Sequence, residues 1–304
     1  MNVEVRPRRP RDRVAKRGAV GQRRGATSSG TSALVNGEID EPKYHERGLL
    51  RGLQILSAFS VERPEHDLSS LSEMLQLPKA TLVRLLDCLR FAGFVETDPD
   101  TSRYRLGLKA FEVGCVYQHT ASIRLLARPV IEDLAYSLGY STNLGILDNG
   151  EVLHITVVLS PRPIRYDGYT GQRSGAHCSG LGKVLLADFA PAELQRFLQQ
   201  YPLTRYTSKT ITDPAVLREA LAQVKRQGYA MDDEESSLGL RCVAAPVRTL
   251  DGVTIAAVSA SGPKAEFEGV TLHRIIGAVQ SAAEQIGRRL GAGTVVQENR
   301  PQRG

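Results

Sequence analysis

The stretch LPKATLVRLLDCLRFAGFVE, residues 77–96, has an apolar stripe along one side only. Its leucines recur at i, i+3, i+4 and i+7, and they are Leu82, Leu85, Leu86 and Leu89. This is the spacing of one face of a helix. The other flank, near the start, carries Lys79, Ala80, Val83 and Arg84. The pattern predicts a helix that buries one face and presents a second face to a partner.

Two further helical patterns precede this stretch. ERGLLRGLQILSAFS places its apolar residues close to helical spacing, and LSSLSEMLQL predicts a short helix. In the second pattern Ser70 and Glu73 would form a capping box, and Ser69 is an equally suitable N-cap. Pro78 fits the first position of the third helix, because its missing N–H costs no helical hydrogen bond there. Gly93 is predicted to end that helix.

A β-hairpin is predicted directly after the third helix. The strand that begins with FVE leads into the turn residues DPD at 98–100. On the returning strand Tyr104 and Leu106 alternate with Arg103 and Arg105. Three helices and a hairpin are therefore predicted within one small unit.

From residue 108 onward the pattern predicts helices mixed with hairpins. A helical connector runs from Leu108 towards Thr120, and LLARPVIEDLAYSLG forms a helix that ends at Gly139. STNLGILDNGEVLHITVV and CVAAPVRTLDGVTIAAVSAS each predict a hairpin around an Asn-Gly or Asp-Gly turn. Further helices are predicted in CSGLGKVLLADF, APAELQRFLQQ, DPAVLREALAQVKRQG and residues 270–290. This mixture favours an α+β fold with an antiparallel sheet.

The composition allows two ordinary globular domains. The chain has 304 residues, of which 41% are hydrophobic and 24% charged. The four cysteines are scattered and form no C-x-x-C pair, which indicates a reduced intracellular protein. The basic start has no apolar segment behind it, and runs such as VLHITVVL are too short to cross a membrane. We therefore expect a cytoplasmic protein with no membrane partner.

The net charge of +6 is concentrated near the N-terminus. Residues 1–30 hold nine Arg or Lys against two acidic residues, so they carry +7 and the remaining chain carries −1. Residues 1–44 are predicted to be a disordered basic arm, because they lack apolar periodicity and repel one another. Such an arm either holds nucleic-acid phosphates or only solubilises the chain, and the composition favours neither interpretation.

The helix at 78–92 has the properties of the second helix of a helix-turn-helix. One face of such a helix packs on its own domain, while its N-terminal residues meet base edges in the major groove. The residues predicted to face DNA are Lys79, Ala80, Thr81, Val83 and Arg84. Arg84 suits guanine and Thr81 suits a phosphate, and Arg103 and Arg105 would reach the flanking backbone as a wing. The alternative is a three-helix unit with an ordinary polar face, which the nine basic and ten acidic residues in 46–115 favour.

Catalysis is not indicated. His177 and Cys178 suggest a base and a nucleophile, yet sequence neighbours seldom face each other and no third orienting group is evident. Ser179 lacks the G-x-S-x-G elbow. His154, in an apolar strand, is predicted to be a satisfied core histidine. The sequence has no phosphate-binding loop and no metal-ligand spacing, so we expect a protein that is not an enzyme and needs no cofactor or metal.

Several motifs together resemble one protein family. GLLRGLQIL, LPKATLVRLLDCLRFAGFVE and YRLGLKAFEVG are similar to the winged helix-turn-helix of the IclR (isocitrate lyase regulator) family of bacterial transcription factors. HCSGLGKVLLA, RQGYAMDDEESSLGLRCVAAPV and AAVSASGP are similar to the effector-domain signatures of that family, in the same order. The resemblance covers about residues 46–290. Gln76 stands where the turn often has glycine, and Ser72 stands where alanine is usual.

The resemblance implies an α+β protein with an N-terminal winged helix-turn-helix. A helical linker would join it to a GAF-like antiparallel-sheet effector domain. The implied parts are a basic arm at 1–44, a DNA-binding domain at 45–107, a linker at 108–122, an effector-binding domain at 123–292 and a flexible tail at 293–304. A small-molecule effector, often an organic acid, would change operator affinity.

The resemblance also assigns six residues to the effector pocket, namely Gly180, Leu181, Asp232, Cys242, Ser259 and Ser261. Gly180 and Leu181 would begin a helix, where free N–H groups and the positive dipole end suit a carboxylate. Ser259 and Ser261 lie two apart on a strand, so both can donate from one face to ligand oxygens. Asp232, if ionised, would repel a carboxylate and is expected to accept from a ligand hydroxyl or a neighbouring donor. Each residue also has an ordinary structural explanation. Gly180 would allow close helix packing, Cys242 would be a small core residue, and the serine hydroxyls would form internal hydrogen bonds.

The leading hypothesis is a homodimer or homotetramer that binds a palindromic double-stranded DNA operator. A small organic-acid effector, with Arg165 and Tyr166 at the mouth of its pocket, would change the placement of the DNA-binding domains through the helical connector. RNA polymerase is a candidate further partner. The competing hypothesis is a metabolite-sensing protein-interaction module, which would bind ligand but have no salt-sensitive affinity for DNA.

Overall fold

The structure, a computed structural model, describes residues 47–120 and 122–298. The basic arm predicted at 1–44 lies outside the described residues. The helices are α1 (Arg47–Ser57), α2 (Leu68–Leu75), α3 (Lys79–Phe91), α4 (Leu108–Thr120), α5 (Ser122–Leu138), α6 (Gly180–Ala187), α7 (Pro191–Gln200), α8 (Pro214–Gln227) and α9 (Gly269–Glu298). The strands are β1 (Glu65–His66), β2 (Val95–Thr97), β3 (Tyr104–Leu106), β4 (Ser141–Asp148), β5 (Glu151–Val158), β6 (Arg173–Gly175), β7 (Ala230–Asp233), β8 (Leu240–Arg248) and β9 (Thr254–Pro263).

Helices α1 to α3 and a small sheet form the first unit. The strand order is β1-β3-β2, and both pairings are antiparallel. The buried core of the unit is Ile55, Leu71, Leu82, Leu86 and Val95. The leucine stripe of α3 therefore lies inward as predicted, with Leu82 and Leu86 fully buried and the other two leucines partly buried beside them.

Helices α2 and α3 differ from the prediction in their N-cap residues. Asp67 is the N-cap of α2, and its carboxylate accepts hydrogen bonds from the N–H groups of Ser69 and Ser70, both at 2.9 Å. Both serines proposed as caps therefore lie inside the first turn. A carboxylate just before the helix satisfies two free N–H groups at once, which makes it the better cap. Pro78 was predicted at the first helical position of α3, but it is the N-cap, and Lys79 is the first helical residue.

The turn between α2 and α3 accommodates the two residues that depart from the family pattern, Gln76 and Ser72. Gln76 ends α2 in the left-handed conformation, with φ 51, where glycine would have no steric cost. The Ser72 hydroxyl donates to the carbonyl oxygen of Leu77 at 2.7 Å, so its extra polar atom stabilises the turn.

The second unit is a six-stranded antiparallel sheet with helices on both faces. The strand order is β6-β5-β4-β9-β8-β7. Helices α5 and α9 cover one face, where Leu144 and Val258 belong to the larger core. Helices α6 and α8 cover the other face, where Val152 and Ala257 belong to a second core. Because side chains alternate along a strand, Ser259 lies on the α6 face.

Both predicted hairpins are confirmed. Asn149 and Gly150 have φ 50 and 80, as a tight two-residue turn requires. Asp213 caps α8 as predicted, because its carboxylate accepts from two first-turn N–H groups. The strands β1, β6 and β7 were not predicted, since two to four residues are too few to produce a visible alternation.

Helix α9 continues past the predicted end at Leu290 as far as Glu298, into the segment predicted as a flexible tail. Gly291 and Gly293 lower helix propensity without breaking a helix, and the segment has no proline. Across the ranges 47–120 and 122–298, the structure has no helix with the length and apolarity needed to span a membrane.

Gly150→Ala should destabilise the protein more than Gly252→Ala. Both glycines have positive φ, 80 and 83, so alanine at either costs about 1 kcal/mol of backbone strain. A Cβ at Gly150 would also lie 2.3 Å from the Tyr201 ring, whereas a Cβ at Gly252 would have nothing within 4 Å. In urea unfolding, Gly150→Ala should reduce the free energy of unfolding by about 1–3 kcal/mol more than the control, Gly252→Ala, does. Equal losses would contradict the packing of this turn on Tyr201.

Candidate functional site

A cavity of about 280 Å³ lies on the α6 face of the large sheet. All six strands of the large sheet contribute residues to it, as do the start of α6 and the loops at 159–172 and 234–239. All six residues predicted for a pocket line it, namely Gly180, Leu181, Asp232, Cys242, Ser259 and Ser261. Residues far apart in the chain are therefore brought together around one cavity.

The start of α6 supplies N–H donors to this cavity. Ser179 is the N-cap, and its hydroxyl oxygen accepts from the N–H of Gly182 at 3.1 Å. The N–H groups of Gly180 and Leu181 belong to the first turn, where a helix has no internal acceptor for them. With the helix dipole, these donors suit an anionic group.

The glycines of α6 allow the helix to lie close to its surroundings. A Cβ at Gly182 would lie 2.1 Å from the carbonyl oxygen of Ala176, so a side chain there would require the backbone to move. A Cβ at Gly180 would lie 3.3 Å from the Sγ of Cys242, at the edge of the cavity. Gly182 therefore lets the helix lie against the segment that joins it to β6, and Gly180 lets it lie against β8 of the sheet.

Three polar side chains meet on the sheet side of the cavity. Asn143 pairs directly with Ser259 between β4 and β9. Its Nδ2 donates to the hydroxyl oxygens of Ser259 and Ser261, at 3.4 and 3.5 Å. All three residues are buried, and the Oδ1 of Asn143 has no hydrogen-bond partner among the described residues. Sequence reasoning missed Asn143, although a polar residue at an inward position of an apolar strand was a usable signal.

His154 also lines the cavity, which corrects its interpretation as a satisfied core histidine. Its Nε2 lies 3.0 Å from the hydroxyl oxygen of Ser174, but its Nδ1 has no partner in the described part of the chain. Burial lowers its pKa to about 4, so the ring is neutral at neutral pH. The register explains its position, because His154 pairs with Gly145 on the same face as Asn143.

Asp232 is held by its own turn. Its carboxylate accepts from the N–H of Glu235 at 2.8 Å, from the N–H of Ser236 at 3.3 Å and from the Ser236 hydroxyl. Burial raises the pKa of Asp232, and these hydrogen bonds oppose that effect. The expectation that Asp232 accepts from neighbouring donors therefore agrees with the structure.

A buried ion pair that the sequence did not predict ties this turn to α6. Lys183 donates to Glu235, and also to the carbonyl oxygen of Met231 at 2.6 Å. Both charged side chains are buried, at 5% and 9% exposure. Burial raises the pKa of Glu235, while the neighbouring ammonium lowers it.

His177 and Cys178 do not form a catalytic pair. His177 hydrogen-bonds through Nε2 to the carbonyl oxygen of Thr204 at 2.9 Å. Cys178 donates to the carbonyl oxygen of Gly175 at 3.5 Å, and burial raises its pKa to about 12. A thiol with so high a pKa is a poor nucleophile at neutral pH.

The loop at 159–172 forms part of the wall of the cavity. Tyr166 lines the cavity, and its hydroxyl donates to Oε1 of Gln172 at 3.2 Å. Arg165 lies outside the lining and pairs with Asp167 at 3.7 Å. Of the two residues predicted at the mouth of the pocket, only Tyr166 lines the cavity.

The predicted DNA-facing residues lie on an exposed edge of the first unit. Lys79, Ala80, Val83 and Arg84 are exposed and Thr81 is half-buried. Lys79 donates to the hydroxyl of Ser69 at 2.9 Å. Arg103 and Arg105 are exposed on the β2–β3 wing, and Arg105 pairs with Glu96 at 3.4 Å and Asp98 at 3.8 Å.

A winged helix-turn-helix followed by a sheet domain with a polar cavity defines a DNA-binding regulator that has a ligand-binding domain. The family described as IclR helix-turn-helix domain matches residues 48–99, and the family described as Bacterial transcriptional regulator IclR C-terminal matches residues 115–288. The chain belongs to the IclR family of bacterial transcriptional regulators, as its motifs predicted. Similarity to solved structures of transcriptional regulators, including the Thermotoga maritima IclR, confirms the predicted α+β fold.

Named relatives support the same class. The chain is 34% identical to the HTH-type transcriptional regulator BhcR of Paracoccus denitrificans, over 94% of this chain and 95% of that protein. It is 30% identical to the transcriptional repressor IclR of Escherichia coli, over 79% and 86%. A solved IclR homologue from Microbacterium hydrocarbonoxydans, complexed with 4-hydroxybenzoate, is 28% identical with a TM-score of 0.72, over 81% of this chain and 99% of that chain. The protein is thus a regulator and not an enzyme.

His154→Gln should weaken the pH dependence of stability. Between pH 6.5 and 4 the unfolded chain protonates His154 while the folded protein does not, so the wild type loses stability as the pH falls. This group accounts for a loss of up to about 3 kcal/mol. Urea unfolding between pH 7 and 4 should therefore show a smaller loss for the variant. His273→Gln, at an exposed histidine of α9, is the control and should retain the wild-type dependence; identical slopes for both variants would refute the prediction.

Proposed function

We propose that this protein is a repressor that binds a palindromic operator as a homodimer or homotetramer, and that a small organic acid sets its DNA affinity. The observation that carries the proposal is the exposed leading edge of α3, held in place by the buried Leu82 and Leu86. Repression is proposed because relatives such as the Escherichia coli protein are named as repressors.

The proposed domain boundaries follow the order of the helices and strands. The DNA-binding unit covers residues 45–107, the helical linker 108–122 and the effector-binding unit 123–292. The arm at 1–44 and the tail at 293–304 would lie outside these units. A contact with RNA polymerase stays a prediction.

The start of α3 would enter the major groove, with Lys79, Thr81 and Arg84 nearest the DNA. Arg84 has no ion-pair partner among the described residues, so its guanidinium is available for a bidentate contact with guanine. Arg105 would have to exchange its acidic partners for a phosphate, whereas Arg103 has no such pair within the described ranges. Since the unit is nearly neutral, affinity would depend on where these cations lie and on two copies acting together.

A second copy of the chain would cover the exposed apolar residues of α1 and α4. Leu108 and Phe111 are 74% and 69% exposed, and Leu49 of α1 is 69% exposed. Large exposed apolar side chains in a group mark a protein interaction surface. A palindromic operator requires a two-fold dimer. Helix α1 belongs to the DNA-binding unit and α4 follows it directly, so both are suitably placed to form that dimer.

The carboxylate of the effector would bind at the start of α6. The N–H groups of Gly180 and Leu181 and the hydroxyls of Ser259 and Ser261 are the donors on the two sides of the cavity. A cavity of about 280 Å³ is near the lower end of the range for small-molecule sites, which favours a small metabolite.

The loop at 159–172 offers a direct route from the cavity to the DNA-binding unit. Gln172 accepts from the Tyr166 hydroxyl and from the N–H of Tyr169, both at 3.2 Å. The Tyr169 hydroxyl donates in turn to the carboxylate of Glu62, between α1 and β1, at 2.6 Å. A ligand that moves Tyr166 would therefore disturb a contact with the DNA-binding unit, in addition to any effect through α4.

Arg84→Ala should weaken binding to a duplex selected from random DNA by the wild-type protein. Loss of a bidentate guanine contact costs about 1–3 kcal/mol and relaxes specificity at one base position. Fluorescence anisotropy with the selected duplex and its single-base variants measures both effects. Arg90→Ala, at the other end of α3, removes an exposed arginine paired with Asp87 and should change little.

An equal loss of affinity for all base variants would instead make Arg84 a phosphate contact. If the wild-type protein selects no duplex and has no salt-sensitive DNA affinity, the competing protein-interaction module is the better hypothesis.

Phe111→Asp should shift the protein towards the monomer and reduce operator affinity, because a buried carboxylate at a dimer interface is strongly unfavourable. Sedimentation velocity measures the first effect and anisotropy the second. Leu250→Asp is the matched control, since Leu250 is similarly exposed, at 74% against 69% for Phe111, but lies in the β8–β9 turn. An unchanged sedimentation coefficient for Phe111→Asp would exclude α4 from the interface.

A further inference from the structure

We propose that Asn143 and His154 form a second polar subsite in the cavity, and that the effector is a hydroxycarboxylate whose hydroxyl binds there. The proposal rests on the proposed effector function, because it names a group that the organic acid must carry in addition to its carboxylate.

Asn143 supplies the first half of the subsite. It is only 1% exposed, it lines the cavity, and one polar atom of its amide has no partner among the described residues. Leaving a buried amide oxygen unpaired costs free energy comparable to a lost hydrogen bond. A binding site can recover that cost only when the ligand brings a matching polar atom.

His154 supplies the second half. It is 4% exposed, and Ser174 engages one ring nitrogen while the other has no partner in the described part of the chain. Asn143 and His154 lie on adjacent strands and on the same face, because Gly145, two residues after Asn143, pairs with His154. Two residues with an unpaired buried polar atom therefore lie on adjacent strands, on the same face of the sheet, and both line one cavity.

A hydroxyl is the ligand group that satisfies this pair most simply. It both donates and accepts, so it can pair with either end of the amide and with either tautomer of the neutral imidazole. A second carboxylate would instead need a positive partner. Arg173 at the rim already pairs with Asp148 and Glu151, at 2.5 and 3.7 Å, and Lys183 pairs with Glu235.

An ammonium group on the ligand is less favoured. The buried acid that would receive it is Asp232, whose two oxygens already accept three hydrogen bonds from its own turn. A hydroxyl carries no charge into the cavity and therefore loses less hydration on binding.

The test uses the full chain and small monocarboxylates arranged as hydroxylated and deoxy pairs. Examples are 4-hydroxybenzoate with benzoate and 3-hydroxybutyrate with butyrate. A thermal-shift screen finds pairs that bind, and titration calorimetry then gives the affinity of each member. The hydroxylated member should bind the wild type at least about tenfold more tightly, because the deoxy analogue leaves buried groups unpaired.

Asn143→Leu, which removes both polar atoms at similar size, should reduce that ratio to within about twofold and retain binding of the deoxy member. Thr156→Val is the matched control. Thr156 also has a buried, unpartnered hydroxyl on β5 among the described residues, but it does not line the cavity, so the ratio should persist. If Asn143→Leu does not fold, as judged by circular dichroism, His154→Phe provides the same comparison.

Equal binding of both members to the wild type would overturn the subsite while leaving carboxylate binding intact. So would an equal loss of both members in Asn143→Leu, since that would indicate a purely structural role. If no carboxylate in either series binds, the proposed organic-acid effector fails and the subsite fails with it. Selection of a duplex by the same protein would still support the DNA-binding part of the proposed function.

Discussion

The close packing of α6 against the large sheet is the constraint on which the cavity depends. Gly180 faces the sheet, where a Cβ would lie 3.3 Å from Cys242 and Ala244. Gly182 lets the helix lie against the segment that joins it to β6, because any side chain there would overlap the carbonyl oxygen of Ala176. Lys183, the next residue, then reaches the turn after β7 and pairs with Glu235. One short helix thereby holds a set of free N–H groups opposite a sheet and fixes the turn that follows Asp232 and β7.

The sheet face beneath α6 combines two kinds of surface. Residues such as Val152 and Ala257 give it an apolar core, and a short distance along the strands Asn143 and Ser259 make it polar. A buried polar atom without a partner reduces stability, so the unpaired amide oxygen of Asn143, a residue that lines the cavity, supports a binding role. The same reasoning applies to His154, whose neutral ring is suited to a neutral hydrogen-bonding group.

Much of the fold and part of the site were predictable because their signals are local. The leucine spacing of α3, the Asn149–Gly150 turn and the Asp213 cap each involve residues within a few positions of one another. The cap of α2 was misplaced because Ser69 and Asp67 are chemically similar candidates two residues apart, and only the backbone geometry distinguishes them. The six pocket residues were found through motifs, which carry information about distant contacts that periodicity lacks.

The sequence by itself determined the class of fold, the inward stripe of the third helix and the exposed cations at its start. Only the tertiary structure decided that Asn143 and His154 share a cavity, that Lys183 meets Glu235 and that Tyr169 contacts Glu62. The physical reason is that hydrophobic periodicity reports which face of an element is buried. It does not report which other element covers that face, and hydrogen bonds between distant strands and loops depend on that arrangement.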